Sequence, residues 1–549
     1  MRPLGETLRL AGANDAPRDP HAELIGLHQK LFERQRRLIE LSTAPEGEEL
    51  VRYRRHYQAF VRGYERAVPY EEVLRHAAAA DVVYVGDYHT LRQAQRAFLK
   101  LADRLAARGR PPVLALEFVQ GRYQRAVDRF LAGELDEIDL LEAIRYRRHQ
   151  AFDVWPNFRP IFELARRKGL RIVALDRPAG GPRSLRERDA FAARALARAL
   201  KPGELALVLV GQLHLATPHL PLYFEREAAR LGRPPARRLL LYQNCEEIYW
   251  QLERRGLEHQ VEAVRVGDDS FCLVNSSPLV CQQSYLDWVE ATREGELLDA
   301  WAPAHHFREA ALLLGRFLDV DVEAALDSVR VHAAGDLGFL AALRESGGLT
   351  RKEQRALERR VLARESFCLP RADAVYLAGA SVNHAAEVAA EYLWHEASED
   401  DGDERGLVDG FYARALEQAL GFFGSKVLNP RRKCRHAREL SRQLTGGSAR
   451  EREVAGYVLA HQRFERGGRA PEVRAVYGSR DPELWGQVTR GLGQILGDKL
   501  YYAMLRGTIS KAEIRGLFFD PFEEEGAALH TYLYLVGKVG KTKVPIRSA

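Results

Sequence analysis

Four short segments, made almost wholly of apolar residues, constrain the fold of this chain more than any other feature. They are VVYVG from Val82, VLALE from Val113, RIVALD from Arg171 and LALVLVG from Leu205. Strands that are apolar on both faces are typical of parallel sheets buried between helices. Helix-length segments separate the four, so we predict an α/β fold with a mostly parallel sheet covered by helices on both faces.

Further segments extend this pattern on both sides. Three closely spaced strands are predicted at the sheet edge, over Arg238–Tyr242, Gln260–Val266 and Ser270–Asn275. Upstream, helical apolar spacing predicts two amphipathic helices over Ala22–Ser42 and Glu48–Ala67. We expect these helices to pack on the sheet domain.

The remaining half of the chain is different in kind. Long helical patterns dominate it, among them Ala374–His395 and Pro482–Leu505, and a polar linker is expected near residue 300. The predicted organisation is therefore a leader with amphipathic helices at 1–69, an α/β domain at 70–300, and a mainly α-helical C-terminal domain of unknown role at 301–549.

Length and composition bound the possible functions. A chain of 549 residues exceeds one ordinary core, since domains usually span roughly 100–200 residues. The formal charge of +6 is spread along the sequence, without the concentrated basic face that nucleic-acid binding needs, so no nucleic acid is expected. The five cysteines include no CxxC pair, and neither a signal peptide nor an apolar transmembrane segment is seen, so we expect a cytoplasmic protein.

Ionisable side chains follow all four apolar strands. Their residues are Asp87 and His89, then Glu117, then Asp176 and Arg177, and finally His214 preceded by Gln212. Ligands of open parallel sheets bind beyond the carboxyl ends of the strands, where these side chains would meet.

Two kinds of chemistry suit such a set. Histidines and carboxylates can ligate a divalent metal that activates water for hydrolysis. Alternatively, one histidine acts as a general base and a carboxylate fixes its tautomer, with no metal. The residues alone leave both open.

The order of these motifs resembles the ChaN-like haem-binding uptake family, within the superfamily that also includes Tiki proteases, TraB-type proteins and erythromycin esterases. The resemblance covers about residues 20–290. The matching segments are VGDYHTLRQAQ, LALEFVQ, WPNFRPIFELARRKGLRIVALD, SLRERDAFAARALARAL, LVLVGQLHLA and VNSSPLVCQQSYLDW.

The resemblance implies that Asp87, His89, Glu117 and His214 line a functional pocket. In esterase relatives such residues perform acid/base chemistry, in Tiki-like relatives they hold a metal, and in ChaN-like relatives the fold binds haem. Relatives usually carry Glu at the position of Asp87.

The function expected from this resemblance is binding of haem or a metal cofactor. His89, His214, Tyr88, Asp176 and Arg177 are the candidate cofactor-binding residues, and Tyr88 is either an axial ligand or a packing aromatic. The first alternative is a metal-dependent or His/carboxylate hydrolase, in which Asp87, His89, Glu117 and His214 are catalytic or ligate the metal. The second is a non-catalytic interaction protein. The sequence leaves open whether the protein is an enzyme. The expected partner is haem or another small molecule, and a homodimer is one possible assembly.

Overall fold

The structure is a computed structural model that describes residues 19–43, 46–146, 154–177, 184–292, 303–333, 336, 338–379, 381–400, 405–469, 472–477 and 481–545. The predicted N-terminal leader and the predicted linker near residue 300 lie largely outside these residues. Contacts divide the chain into two compact units. One comprises Phe32–Glu294, here the sheet unit, and the other comprises Met1–Leu31 with Gly295–Ile546, here the helical unit.

The sheet unit contains eight strands and the helices that surround them. The strands are β1 (Arg66–Val68), β2 (Val82–Asp87), β3 (Val113–Gln120), β4 (Ile172–Asp176), β5 (Ala206–Gly211), β6 (Arg238–Gln243), β7 (Ala263–Gly267) and β8 (Ser270–Leu273). The helices are α2 (Glu48–Phe60), α3 (Tyr70–Ala79), α4 (Arg92–Ala107), α5 (Gln124–Leu131), α6 (Glu137–Ala143), α7 (Trp155–Lys168), α8 (Leu185–Ala199), α9 (Leu220–Arg230), α10 (Glu246–Arg254) and α11 (Pro278–Thr292). Helix α1 (Pro20–Ser42) contributes residues to both units.

The eight strands form one sheet in the order β1-β7-β8-β6-β2-β5-β3-β4. All neighbours from β8 to β4 are parallel, whereas β7 is antiparallel to both β8 and β1. The predicted α/β fold is confirmed. Strand β5 lies between β2 and β3, so the ends of these three strands are neighbours.

Alternate residues of each central strand face opposite cores, as the apolar sequences predict. In β2, Val83 and Val85 pack in one core with Phe98 of α4. Val82 and Tyr84 pack in the other core, with helices α8 and α10. Helices therefore cover both faces, and the strands are apolar throughout because both faces exclude water.

Three details differ from the sequence-based expectations. The helix predicted to reach Ala67 ends at Phe60, and β1 follows at the sheet edge; Val68 precedes Pro69, which disfavours helical backbone. Strand β6 lies inside the sheet between β8 and β2, not at the edge. The helix predicted from Ala374 begins at Val382, after a short strand.

The helical unit surrounds one large apolar core and also contains a small sheet. Its helices are α12 (Pro303–Leu318), α13 (Glu323–Leu326), α14 (Gly338–Glu345), α15 (Arg351–Leu362), α16 (Val382–Ser398), α17 (Leu407–Leu428), α18 (Ala437–Gly446), α19 (Ala449–Glu465), α20 (Glu472–Tyr477), α21 (Pro482–Leu505), α22 (Lys511–Phe518) and α23 (Ala527–Val539). The sheet has the order β10-β11-β9, from β9 (Arg330–Ala333), β10 (Phe367–Leu369) and β11 (Ala374–Leu377). Among the described residues no helix is long and apolar enough to cross a lipid bilayer.

Candidate functional site

The carboxyl ends of β2, β5 and β3 bring four of the predicted site residues to one edge of the sheet: Asp87, His89, Glu117 and His214. Asp87 ends β2 and is paired in register with Gly211, the last residue of β5. Glu117 lies in β3, at a shift of register between Leu116 and Gln120. Because the strands are parallel and adjacent, side chains more than a hundred residues apart in sequence share one site.

Asp87 holds His89 by a short hydrogen bond. The Nδ1–H of His89 donates to Asp87 Oδ2 at 2.6 Å, and Gln95 Nε2 donates to Asp87 Oδ1 at 2.5 Å. Both carboxylate oxygens of Asp87 are thus engaged, and its side chain is only 2% exposed. Asp87 orients His89, whose Nε2 is left available, and the His89 side chain is 42% exposed.

Glu117 is the centre of a buried ionic cluster. Its Oε1 is paired with Arg188 of α8 and lies 3.7 Å from His214 Nε2. Its Oε2 accepts a 2.7 Å hydrogen bond from the backbone N–H of Gly211. Burial disfavours the charged carboxylate, but Arg188, His214 and His89 outweigh it and lower the pKa of Glu117 to about 2.

His214 follows β5 and is held by a carboxylate of its own. Its Nδ1–H donates to Asp189 Oδ1 at 2.6 Å, and Tyr53 of α2 donates its hydroxyl hydrogen to Asp189 Oδ2 at 2.7 Å. His214 is 7% exposed, Asp189 1% and Tyr53 fully buried. The site therefore contains two His–Asp pairs, of which only the first was visible in a contiguous motif.

Burial and the neighbouring carboxylates act in opposite directions on both histidines. Partial desolvation favours neutral His89, which is still 42% exposed, but the charge and hydrogen bond of Asp87, with Glu117, prevail and raise its pKa to about 9. The pKa of His214 is also raised, because Glu117 and Asp189 outweigh its burial. The neighbouring carboxylates thus favour the protonated form of both imidazoles, and a ligand that binds at Nε2 has to displace a proton there.

The other predicted cofactor residues lie less centrally. Asp176 Oδ1 is 3.4 Å from Arg188, so Asp176 reaches the cluster through that guanidinium. Arg177 is paired with Glu187 and does not line the cavity at this edge. Tyr88 lines the cavity and packs against Leu91, Ala94 and Cys281. Burial raises its pKa, which disfavours a tyrosinate ligand.

A cavity of about 1010 Å³ opens at these strand ends and is here called the strand-end cavity. Its volume is at the upper end of the roughly 300–1,000 Å³ typical of small-molecule sites. Asp87, His89, Glu117, Arg188 and His214 line its polar part. Its apolar and aromatic lining residues are Phe32, Ile39, Tyr57, Tyr88, Leu185, Leu213, Pro278, Cys281 and Tyr285.

The polar lining fits a ligand held at His89 better than a bare metal held by four residues. Among the described residues, only Cys434, His436 and Asp498 bring three metal-ligating atoms within 4.8 Å of one another, and they belong to the helical unit. There the ammonium group of Lys426 already lies 3.2 Å from Asp498 Oδ1. In the strand-end cavity, Asp87 and Glu117 are committed to hydrogen bonds and to Arg188.

Gly211 keeps the centre of the site open. A Cβ at this position would lie 3.6 Å from both Glu117 Oε2 and His214 Cδ2, and 3.9 Å from His89 Nε2. The space that this missing atom leaves is bordered by both histidines and by Glu117. Haem iron can be held by a free imidazole nitrogen, and the macrocycle suits a large apolar cavity. His89 Nε2 and the aromatic lining suit such a group, whereas the cavity arginines Arg36 and Arg54 are already paired with Glu40 and Glu46.

Together, fold and site define an α/β protein with a cavity at the carboxyl edge of a parallel sheet, lined by two carboxylate-bound histidines. Residues 73–187 match the family model described as haem-binding uptake, Tiki superfamily, ChaN. The match confirms the ChaN-like resemblance over that segment and supports a haem- or cofactor-binding role. Searches of curated proteins and of solved structures gave no match.

Four residues with direct roles in the cluster were not singled out from sequence. Gln95 and Arg188 bind the two carboxylates, and Asp189 and Tyr53 hold His214. Arg188 and Asp189 lie within SLRERD, which was noted only for its family pattern. Tyr53 precedes the first strand of the matched segment, and nothing in its helical pattern distinguishes it from a core aromatic.

Proposed function

We propose that this protein binds haem in the strand-end cavity, with His89 Nε2 as the axial ligand. The observation that carries the proposal is the His89 geometry: Nδ1 is fixed by Asp87 at 2.6 Å, whereas Nε2 remains accessible in the cavity. A ligating histidine usually donates its other ring N–H to a carboxylate or carbonyl. The family match supports the same class of ligand.

Each side of the cavity would have a separate role. The aromatic side chains would supply apolar surface for the macrocycle, and Arg36 and Arg54 would pair with its carboxylates in exchange for Glu40 and Glu46. When bound, haem supplies iron for ligand binding or electron transfer. The chain itself binds and orients the group, and Asp87 fixes the His89 tautomer.

Titration of the full-length protein with hemin tests this proposal. We expect a saturable Soret band with one site per chain. His89→Ala should remove the histidine-ligated spectrum, whereas His76→Ala should not, because His76 packs on Phe271 outside the cavity lining. A wild-type protein without a saturable band would refute haem binding, and an unchanged His89→Ala spectrum would refute the assigned ligand.

A second candidate function is hydrolysis by His/carboxylate chemistry. The observation that favours it is the second pair, in which Asp189 binds His214 Nδ1 while His214 Nε2 faces Glu117. Such an imidazole can exchange a proton with a substrate or a water. This function requires that His214→Ala abolish turnover of an ester or amide substrate while the protein stays folded; retained turnover would exclude it.

The proposal also assigns the cavity to one domain of the chain. We assign the cavity to an α/β domain at about 70–300, completed by the preceding helices, and leave 301–549 as a mainly helical domain. Support for the contribution of the preceding helices comes from α2. Its Glu49 accepts hydrogen bonds from Ser184 and from the backbone N–H groups of Leu185 and Arg186, where α8 begins.

A further inference from the structure

Helix α2 reaches the ionic cluster through one fully buried side chain. Tyr53 donates its hydroxyl hydrogen to Asp189 Oδ2, and Asp189 Oδ1 accepts from His214 Nδ1. The Tyr53 ring also makes an edge contact with the His214 ring, with centroids 5.7 Å apart. The hydroxyl, the carboxylate and the imidazole thus form one continuous chain.

In this series of hydrogen bonds, each residue restricts the orientation of the next. A carboxylate can only accept hydrogen bonds, so the bond to Asp189 requires a proton on His214 Nδ1. With one oxygen held by Tyr53 and the other by His214, the Asp189 carboxylate cannot turn away. The His214 ring is thereby fixed with Nε2 directed at Glu117, 3.7 Å away.

We propose that Tyr53 and Asp189 are positioning residues that present His214 Nε2 to the ligand of the strand-end cavity. Neither residue lies in the matched segment 73–187, so the site is completed from outside it. A ligand held at His89 would meet His214, because both imidazoles border the space next to Gly211. The inference deepens the proposed function and relies on it only for the ligand.

The chain offers well-matched variants. Tyr53→Phe removes only the hydroxyl and keeps the ring, which is stacked on His219 with centroids 3.5 Å apart. Tyr64→Phe is the control, since Tyr64 follows the same helix, lies outside the cavity lining, and accepts a hydrogen bond at its hydroxyl from Arg255 Nη1 instead. Asp189→Asn keeps the size of the side chain but can place a donor against His214 Nδ1, and Asp189→Glu restores the carboxylate.

The first readout needs no bound ligand. Proton NMR of the full-length protein should show a downfield Nδ1–H resonance from buried His214, as a short hydrogen bond to a carboxylate produces. We expect Asp189→Asn to move this resonance upfield, because an amide acceptor lacks the charge of the carboxylate. Tyr53→Phe should shift it, Asp189→Glu should restore a downfield resonance, and Tyr64→Phe should leave it unchanged. A resonance at the wild-type position in Asp189→Asn would overturn the inference.

The second readout is the absorption spectrum with hemin. Tyr53→Phe and Asp189→Asn should change the band positions of bound hemin without abolishing binding, because His89 is intact. Spectra identical to the wild type would reduce Tyr53 and Asp189 to structural residues and overturn the inference. If wild-type protein binds no hemin, the haem proposal fails, and the NMR result alone decides the inference. Should Asp189→Asn not fold, Tyr53→Phe carries both tests.

Discussion

Asp87 and His89 lie two residues apart and have different roles in the site. Asp87 is almost fully buried at the end of β2 and holds the ring, whereas His89 extends into the cavity. The short side chain of Asp87 suits this role because its oxygens bind His89 and Gln95 directly. The charge of the carboxylate should then control the protonation of the ring.

Replacing Asp87 with Asn should lower the pKa of His89 from about 9 towards the ordinary histidine value of about 6.5. The amide keeps an acceptor for Nδ1–H but removes the negative charge. In the wild type the folded pKa exceeds the unfolded one, so the stabilisation is complete below about pH 6.5 and is lost as pH rises through about 9. NMR titration of the His89 ring measures its pKa directly. An unshifted pKa in Asp87→Asn would contradict the role assigned to Asp87. Asp103→Asn, remote from the site, is the control and should leave the pKa of His89 unchanged.

A buried carboxylate in the helical unit should limit stability at neutral pH. Burial and the nearby Glu417 raise the pKa of Glu391 to about 7. Since its unfolded value is near 4.5, the folded state binds more protons, and the free energy of unfolding should fall between about pH 4.5 and 7. Gln418 Nε2 donates to Glu391 Oε1, a bond that a glutamine can retain.

Glu391→Gln should therefore raise the free energy of unfolding at pH 8 and flatten its decline between pH 4.5 and 7. The matched variant Glu417→Gln should instead destabilise by about 1–3 kcal/mol, because partly buried Arg414 loses its paired carboxylate, while His395 keeps Asp400. Denaturant unfolding across pH compares the two. Equal destabilisation by both substitutions would contradict the predicted asymmetry.

Sequence reasoning found the residues that follow strands but not those that hold them. Asp87, His89, Glu117 and His214 could be predicted to converge because parallel strands end at one edge. Asp189 and Tyr53 lie on helices, where a polar residue facing a buried ion pair has the same spacing as one facing solvent. Only the three-dimensional packing of α2 and α8 against the sheet distinguishes them.

At the scale of elements, helices α17 and α21 approach each other unusually closely. A Cβ on Gly497 of α21 would lie 2.3 Å from Ala419 O, and one on Gly493 would lie 2.5 Å from Ala415 O. The two glycines are four residues apart and so share one face of α21. Their missing side chains allow the two backbones to touch.

Gly497→Ala should destabilise the protein by at least about 1–3 kcal/mol, because the clash is with backbone that cannot rotate away. Gly486→Ala is the control within the same helix: its added Cβ would meet nothing within 4 Å, and alanine should stabilise by up to about 1 kcal/mol. Thermal unfolding of both variants gives the comparison. A tolerated Gly497→Ala would show that α17 and α21 can separate without cost.

The apolar strands could be predicted because burial on both faces leaves an unmistakable composition. The order of the strands in the sheet could not be predicted. Strand β6, with the sequence RLLLYQ, is as apolar as its parallel neighbours, and spacing along the chain does not reveal its place between β8 and β2. Strand β11 was merged into the following helix because AVYL suits either structure. Ser381, whose Oγ accepts from the His384 backbone N–H, marks the true helix start.

At the scale of the whole molecule, the chain contains two compact units with separate cores. The strand-end cavity is lined entirely by residues of the sheet unit. A ligand that binds a folded unit stabilises it against unfolding by mass action. The two units should therefore respond differently to hemin.

Calorimetry of the full-length protein should show two thermal transitions, and hemin should raise only one of them. At a free concentration of one hundred times Kd, the bound unit gains about 2.7 kcal/mol. His89→Ala should weaken this shift and leave the other transition unchanged. A single transition that hemin raises as a whole would contradict independent unfolding of the units.

The five cysteines offer a way to time the opening of each unit separately. None is in a disulfide; Cys245, Cys272 and Cys281 are buried in the sheet unit, and Cys368 is buried in the helical unit together with partly exposed Cys434. An alkylating reagent can reach a buried thiol only when the structure around it opens. Pulsed labelling followed by peptide mass spectrometry would thus record how often each unit opens. It uses one sample of the native protein and needs no engineered cysteine.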